Sequence, residues 1–185
     1  MQITKATARI YTTKSSLTPS DLRILFHEWI QQDALDELLL DVADYSHVPK
    51  GPGVLLVAHE CYVGFDDADG RFGLSWRARQ DALAPAAESW RHAVSRLLVA
   101  ARTAERRFDK ELTFDGAQLV LGCNDRLHAP HGEASYSALQ GALEAVASEV
   151  YPGADCKIEP VGEPRQCFRA RLSTAGSLGL SDLPV

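Results

Sequence analysis

The segment Asn124-Asp125-Arg126-Leu127-His128-Ala129-Pro130-His131-Gly132-Glu133 is the densest run of chemically capable side chains in the sequence. His128 and His131, with Asp125 or Glu133, could supply the three protein ligands of an open zinc site. Alternatively, one of these histidines serves as a general base held by Asp125. The HxxH spacing in a loop lacks the fixed geometry that HExxH acquires on a helix. The competing reading is a polar surface loop in which Glu133 favours the positive end of the helix that follows.

A second group of polar residues lies within the run from Asp36 to Gln80, which reads as three successive strands. Side chains alternate faces along a strand. Taking Val54 to Phe65 as one strand places Leu55, Val57, His59, Cys61, Val63 and Phe65 on the core face and Glu60 and Tyr62 opposite. His59 and Glu60 then cannot share a ligand, and His59 is expected as a core histidine. A reversal centred on Asp69-Gly70 pairs Glu60 with Arg79 and Tyr62 with Arg77. A symmetric reversal at Lys50-Gly51 adds Asp41 opposite Glu60, giving an Asp41–Glu60–Arg79 row. In a cleft, Glu60 or Asp41 could act as a general base raised by its carboxylate neighbour. On an open sheet face the same row is a solvated ladder.

Other polar groups are weaker candidates. Arg91, Arg102 and Arg106 fall on one side of an expected helix, a basic strip that could meet an acidic protein partner or a second copy of the chain. Four cysteines (Cys61, Cys123, Cys156, Cys167) show no CxxC spacing, which removes zinc-ribbon and thioredoxin readings. A tight reversal at Val161-Gly162 would set Cys156 opposite Cys167, where a disulfide could form if oxidised. Neither GxGxxG, GxxxxGK[ST] nor GxSxG occurs, so dinucleotide, P-loop and α/β-hydrolase chemistry lack their usual cradle or nucleophile elbow.

The elements that must carry these residues can be read from turn and cap signals. Ile3 to Thr13 reads as a strand, with Lys5 and Arg9 suggesting an edge position. Thr18, Pro19 and Asp21 form a helix start, and Leu22, Leu25, Phe26, Trp29 and Ile30 recur at helical spacing up to about Asp33. The next strands are Glu37 to Val48, Val54 to Phe65 and Arg71 to Gln80, followed by a long helix from about Pro85 to Phe108. Leu112 to Cys123 is expected as a hairpin turning at Asp115-Gly116. A third helix spans about Ser135 to Val150, and Cys156 to Pro160 pairs with Arg165 to Leu172. Successive hairpins and three amphipathic helices imply an α+β fold with mainly antiparallel pairing. Residues 1–172 read as one domain and 173–185, rich in Gly and Ser, as a flexible tail.

Composition bounds the function. At 185 residues the chain can bury roughly 70% of its unfolded surface without a staple. Its 45% hydrophobic and 24% charged residues are globular values. A net charge of −6 argues against general nucleic-acid binding. No apolar run approaches the ~20 residues of a membrane span, and the first residues lack the apolar core of a secretory signal, so a cytoplasmic protein is expected.

Phe26-His27-x-Trp29-Ile30-Gln31, Asp41-Val42-Ala43-Asp44-Tyr45 and Gly51-Pro52-Gly53-Val54 together resemble segments of bacterial proteins known only as uncharacterised, a resemblance that implies no particular fold, activity or cofactor. The first functional reading is a small binding or assembly protein acting through protein contacts or self-association, with the basic helix and the open sheet face as surfaces. The second is a small hydrolytic or metal-assisted enzyme using His128, His131, Asp125 and Glu60.

Overall fold

The computed structural model describes residues 1–67, 69–79, 83–163 and 165–184. Its strands are β1 (Gln2–Ile3), β2 (Ala6–Ser15), β3 (Leu39–Tyr45), β4 (Gly53–Ala58), β5 (Cys61–Asp66), β6 (Gly73–Ala78), β7 (Ala84–Pro85), β8 (Leu112–Cys123), β9 (Cys156–Pro160) and β10 (Phe168–Thr174). The helices are α1 (Pro19–Gln32), α2 (Ala86–Phe108) and α3 (Glu133–Val150). Eight strands form one antiparallel sheet in the order β3-β4-β5-β6-β2-β8-β10-β9, and β1 pairs separately with β7. The fold is α+β, as expected.

Local chemistry explains the start of α1. Thr18 caps it reciprocally with Asp21, Pro19 sits in the first turn, and Asp33 ends it in a left-handed conformation. One side of α1 (Leu22, Leu25, Phe26, Trp29) joins a single buried cluster with Trp90, Val94, Leu97 and Leu98 of α2 and Leu139, Leu143 and Val146 of α3. The sheet contributes alternate residues to that cluster: Ala6, Ala8 and Ile10 from β2, Leu119 and Leu121 from β8, and Phe168, Ala170 and Leu172 from β10. Trp90 ties helix to sheet, its Nε1 donating to the Gly122 carbonyl at 2.8 Å. The helices therefore pack on one sheet face, and the alternate set of side chains looks away from them.

The expected register between β5 and β6 is observed, with Tyr62 paired to Arg77 and the Arg79 amide donating to the Glu60 carbonyl at 2.8 Å. The strands end at Asp66 and resume at Gly73, so the connection is longer than the two-residue turn expected at Asp69-Gly70. Several other expectations are corrected. Val54 to Phe65 is two strands, because the chain reverses at His59-Glu60 and pairs Val57 with Tyr62. His59 is thus an exposed turn residue rather than a core histidine. Reversal there lets Val54, Leu56 and Ala58 share the core face with Cys61, Val63 and Phe65, whose parity is opposite.

Asp41 lies opposite Val57, three residues out of the expected register, so no Asp41–Glu60–Arg79 row forms. Two successive turns, closed by Val48 N–H to the Tyr45 carbonyl and Gly51 N–H to the Val48 carbonyl, set that register. Gly53 is required twice over, by its φ of +66° and because a Cβ there would stand 1.9 Å from the Phe65 carbonyl oxygen.

Strand β2 is central rather than an edge strand, held by β6 on one side and β8 on the other. Strand β8 runs straight through Asp115-Gly116 with a register irregularity where a hairpin was expected. The C-terminal segment explains this: the Gly116 amide donates to the Leu178 carbonyl at 2.9 Å, and a Cβ on Gly116 would lie 2.8 Å from that oxygen. Residues 173–185, expected as a flexible tail, include buried Leu180 and Leu183. In the last hairpin Thr174, not Cys167, faces Cys156, and both cysteines are free thiols. Ala68, Gln80, Pro164 and Val185, which enter the expected turns, strand end and tail, lie outside the described residues.

Candidate anion site on the open sheet face

Cross-strand partners in an antiparallel sheet point to the same side. The pairings therefore lay Arg77, Thr7, Gly122 and Arg169 in one row across β6, β2, β8 and β10. The next row is Ser75, Arg9, Val120 and Arg171. These residues alternate with the core set, so both rows stand on the face without helices. Glycine at position 122 keeps the first row shallow, since a Cβ there would meet the Thr7 hydroxyl at 2.7 Å and the Phe168 carbonyl at 2.9 Å.

Two carboxylates organise the arginines. Asp66, at the end of β5, accepts from Arg9 Nη1 at 2.8 Å and from Arg77 Nη2 at 3.1 Å. Arg9 is only 8% exposed and Asp66 4%, and Arg9 Nη2 also donates to the carbonyls of Asp66 (2.9 Å) and Arg71 (3.2 Å). A buried pair of this kind is tolerable because both ions are paired and further hydrogen-bonded. Burial pushes the Arg77 guanidinium below its usual value, with Asp66 acting against that shift.

Asp69 comes from the β5–β6 connection and reaches Arg169 on β10. Its carboxylate accepts from both Arg169 Nη atoms (Nη1 to Oδ1 at 2.7 Å, Nη2 to Oδ2) and from the Tyr11 hydroxyl at 3.0 Å. Arg9 Nε lies 3.4 Å from the same oxygen Oδ2. Arg169 above all holds the Asp69 carboxyl down at about 2. The Tyr11 phenol moves up, through burial first and the Asp69 charge second. Guanidinium groups flank the Tyr11 ring, Arg71 4.1 Å and Arg9 5.2 Å from its centroid.

Arg9, Asp66, Asp69, Arg77 and Arg169 line an open depression of about 380 Å³, together with Lys50, Gly51 and Pro52 of the β3–β4 connection. Arg9, Arg77, Arg169 and Lys50 against Asp66 and Asp69 leave it two positive charges in excess, on a chain whose net charge is −6. In the neighbouring row, buried Arg171 Nε has no hydrogen-bond partner among the described residues.

The sequence-expected site residues fall elsewhere. In the 124–133 loop, His128 Nδ1 and Asp125 Oδ2 are 2.7 Å apart, and Asp125 also accepts from the Thr4 hydroxyl at 2.6 Å and the Leu127 amide at 2.8 Å. Those donors, Thr4 first and His128 second, hold the Asp125 carboxyl far below the usual range. An ionised carboxylate only accepts, so His128 Nδ1 is the donor in this contact. His131 does not join them, and its buried Nδ1 has no hydrogen-bond partner among the described residues. No group of three or more His, Cys, Asp or Glu side chains among the described residues could hold a metal ion. Glu60 lines a different depression, with Trp76, Glu88 and His92.

The basic strip of α2 is largely committed within the chain. Arg91 Nε pairs with Glu149 of α3 at 2.7 Å. Arg102 Nη2 donates to the carbonyls of Leu180 (2.9 Å) and Leu183 (2.6 Å), and exposed Arg106 donates to the Thr103 hydroxyl at 3.2 Å.

Sequence reasoning placed Arg77 away from the core but missed Arg9, Asp66, Asp69 and Arg169 as a set. A usable signal was present: Ala6, Ala8 and Ile10 alternate with Thr7, Arg9 and Tyr11, as Phe168, Ala170 and Leu172 do with Arg169 and Arg171. Comparison with protein-family models, curated proteins and solved structures found no match to this chain.

Proposed function

We propose that this chain is a binding protein whose ligand is a small anion seated on the open face of the sheet, against Arg77, Arg169 and Lys50. One observation carries the reading: among the described residues, a net negative chain sets four cationic side chains and two carboxylates around one depression. Half-buried guanidinium groups on rigid strands are suited to oxyanions, because little side-chain freedom is lost on binding. The test is titration of the protein with inorganic phosphate and with acetate at constant ionic strength, followed by melting temperature and by the arginine Nε–H resonances. Saturable binding that Arg77→Met weakens supports the proposal, since a ligand at 100 times its Kd adds about 2.7 kcal/mol of stability. Binding of neither anion, or binding indifferent to Arg77→Met in a folded protein, overturns it.

A second reading has its own observation: His128 is oriented by Asp125, and both line an open depression of about 620 Å³ together with Cys167. A carboxylate that orients a histidine, in a depression that also holds a thiol, supplies the groups that activation of a nucleophile needs, while the Cys167 thiol itself donates to Asn124 Oδ1 at 3.4 Å. If His128 acts on Cys167, His128→Asn slows iodoacetamide modification of Cys167 near neutral pH, read by mass spectrometry. An unchanged rate removes this reading.

A further inference from the structure

We infer that the ligand of the open face is a carboxylate, which takes Arg169 and the Tyr11 hydroxyl in place of Asp69, so that Asp69 is a built-in competitor for the site. This rests on the anion-binding reading above and names the ligand class. Arg169 meets Asp69 with two parallel N–H to oxygen bonds, the fork geometry that matches a planar carboxylate. Tyr11 adds a third donor, to Oδ2. The site is thus assembled around a carboxylate shape, and the present occupant comes from the chain itself.

The two aspartates differ in a way that singles out Asp69. Asp66 is buried between Arg9 and Arg77, and removing it would strand two guanidinium groups. Asp69 has a side chain 25% exposed and sits beside Gly70, whose φ is +74° and around whose Cβ position there is open space. Its carboxylate reaches Arg169 across β2 and β8, a contact between elements far apart in the sheet. Beyond Asp69 the depression offers the apolar surfaces of Val120 and Pro52 and the Asn124 side chain, room for the remainder of a small organic acid.

An internal carboxylate competes at an effective concentration in the millimolar range or above, so its removal raises the apparent affinity for a free one. Acetate and inorganic phosphate are titrated into wild type, Asp69→Ala and Asp69→Ala/Arg169→Lys at constant ionic strength, with Arg Nε–H resonances as the readout. The expected result is acetate binding about tenfold tighter in Asp69→Ala than in wild type, a smaller gain for phosphate, and loss of the acetate gain when Arg169 becomes Lys, which keeps charge but not the fork. Acetate binding unchanged or weaker in Asp69→Ala while wild type still binds anions overturns the competitor and leaves the anion site standing. An equal gain for phosphate overturns the carboxylate class. Absence of binding by either anion to any variant overturns the anion-binding reading itself. Should Asp69→Ala fail to fold, Asp69→Asn keeps the side-chain shape, drops the charge and is judged by the same outcomes.

Discussion

Arg9 and Asp66, 57 residues apart in sequence, meet as a buried ion pair with Nη1 2.8 Å from Oδ1, on the sheet face that no helix covers. The pair joins central strand β2 to the end of β5, skipping β6 between them. Asp66→Ala removes the shorter carboxylate contact of buried Arg9 and the partner of Arg77, leaving Arg9 only the 3.4 Å approach to Asp69, and is expected to cost about 3 kcal/mol. Urea unfolding of the variant measures it, and a loss under 1 kcal/mol would show that the pair is not desolvated in solution.

Asp69 gives the molecule an acid-sensitive contact. Its folded pKa lies at about 2, against ~3.9 for an unfolded aspartate. The folded value is the lower one, so the stabilisation is complete above about pH 4 and disappears as pH falls towards 2. Thermal melts from pH 5 to pH 2 should show wild type losing stability faster than Asp69→Asn across that window. Parallel curves would contradict the pairing with Arg169.

His59 occupies a two-residue turn with its side chain in solvent. Replacing it with Gln should therefore shift stability by no more than about 0.5 kcal/mol, the ordinary range for exposed positions. A large destabilisation in a denaturant titration would return His59 to the core and with it the single-strand reading of Val54 to Phe65.

The C-terminal segment is held by Arg102 and by Leu180, which is 2% exposed. Leu180→Ala is expected to cost about 2 kcal/mol or more, as buried leucine truncations do. Hydrogen exchange at the Gly116 amide, bonded to the Leu178 carbonyl, should accelerate in Arg102→Ala. Unchanged protection would mean that the segment is anchored by other contacts.

All four cysteines are free, and burial pushes the Cys61 thiol up to about 12. A thiol reagent at pH 8 should therefore modify half-buried Cys156 and Cys167 first and reach Cys61 and Cys123 only on unfolding. Rapid modification of Cys61 in the native protein would argue against its burial.

The sequence by itself determined the local structure. Thr18, Pro19 and Asp21 start α1 because cap bonds form between residues three apart, and the apolar spacing of Trp90, Val94, Leu97 and Leu98 defines the buried side of α2. The β5–β6 register was legible from the Asp69-Gly70 signal because the pairing is symmetric about it, although the strands separate at Asp66 and Gly73. Only the tertiary structure decided the rest. His59-Glu60 reverses the chain without Gly, Pro or Asn, so nothing local marks it, and the choice is made by burying Leu56 and Cys61 on one face. Asp115-Gly116, a strong hairpin signal, is overridden because β2 and the C-terminal segment supply partners on either side of it. The arginine site belongs to this second kind. Arg9, Arg77 and Arg169 come from strands whose adjacency is a matter of long-range pairing, and strand order is set by how one apolar face is covered, information that no short window of sequence contains.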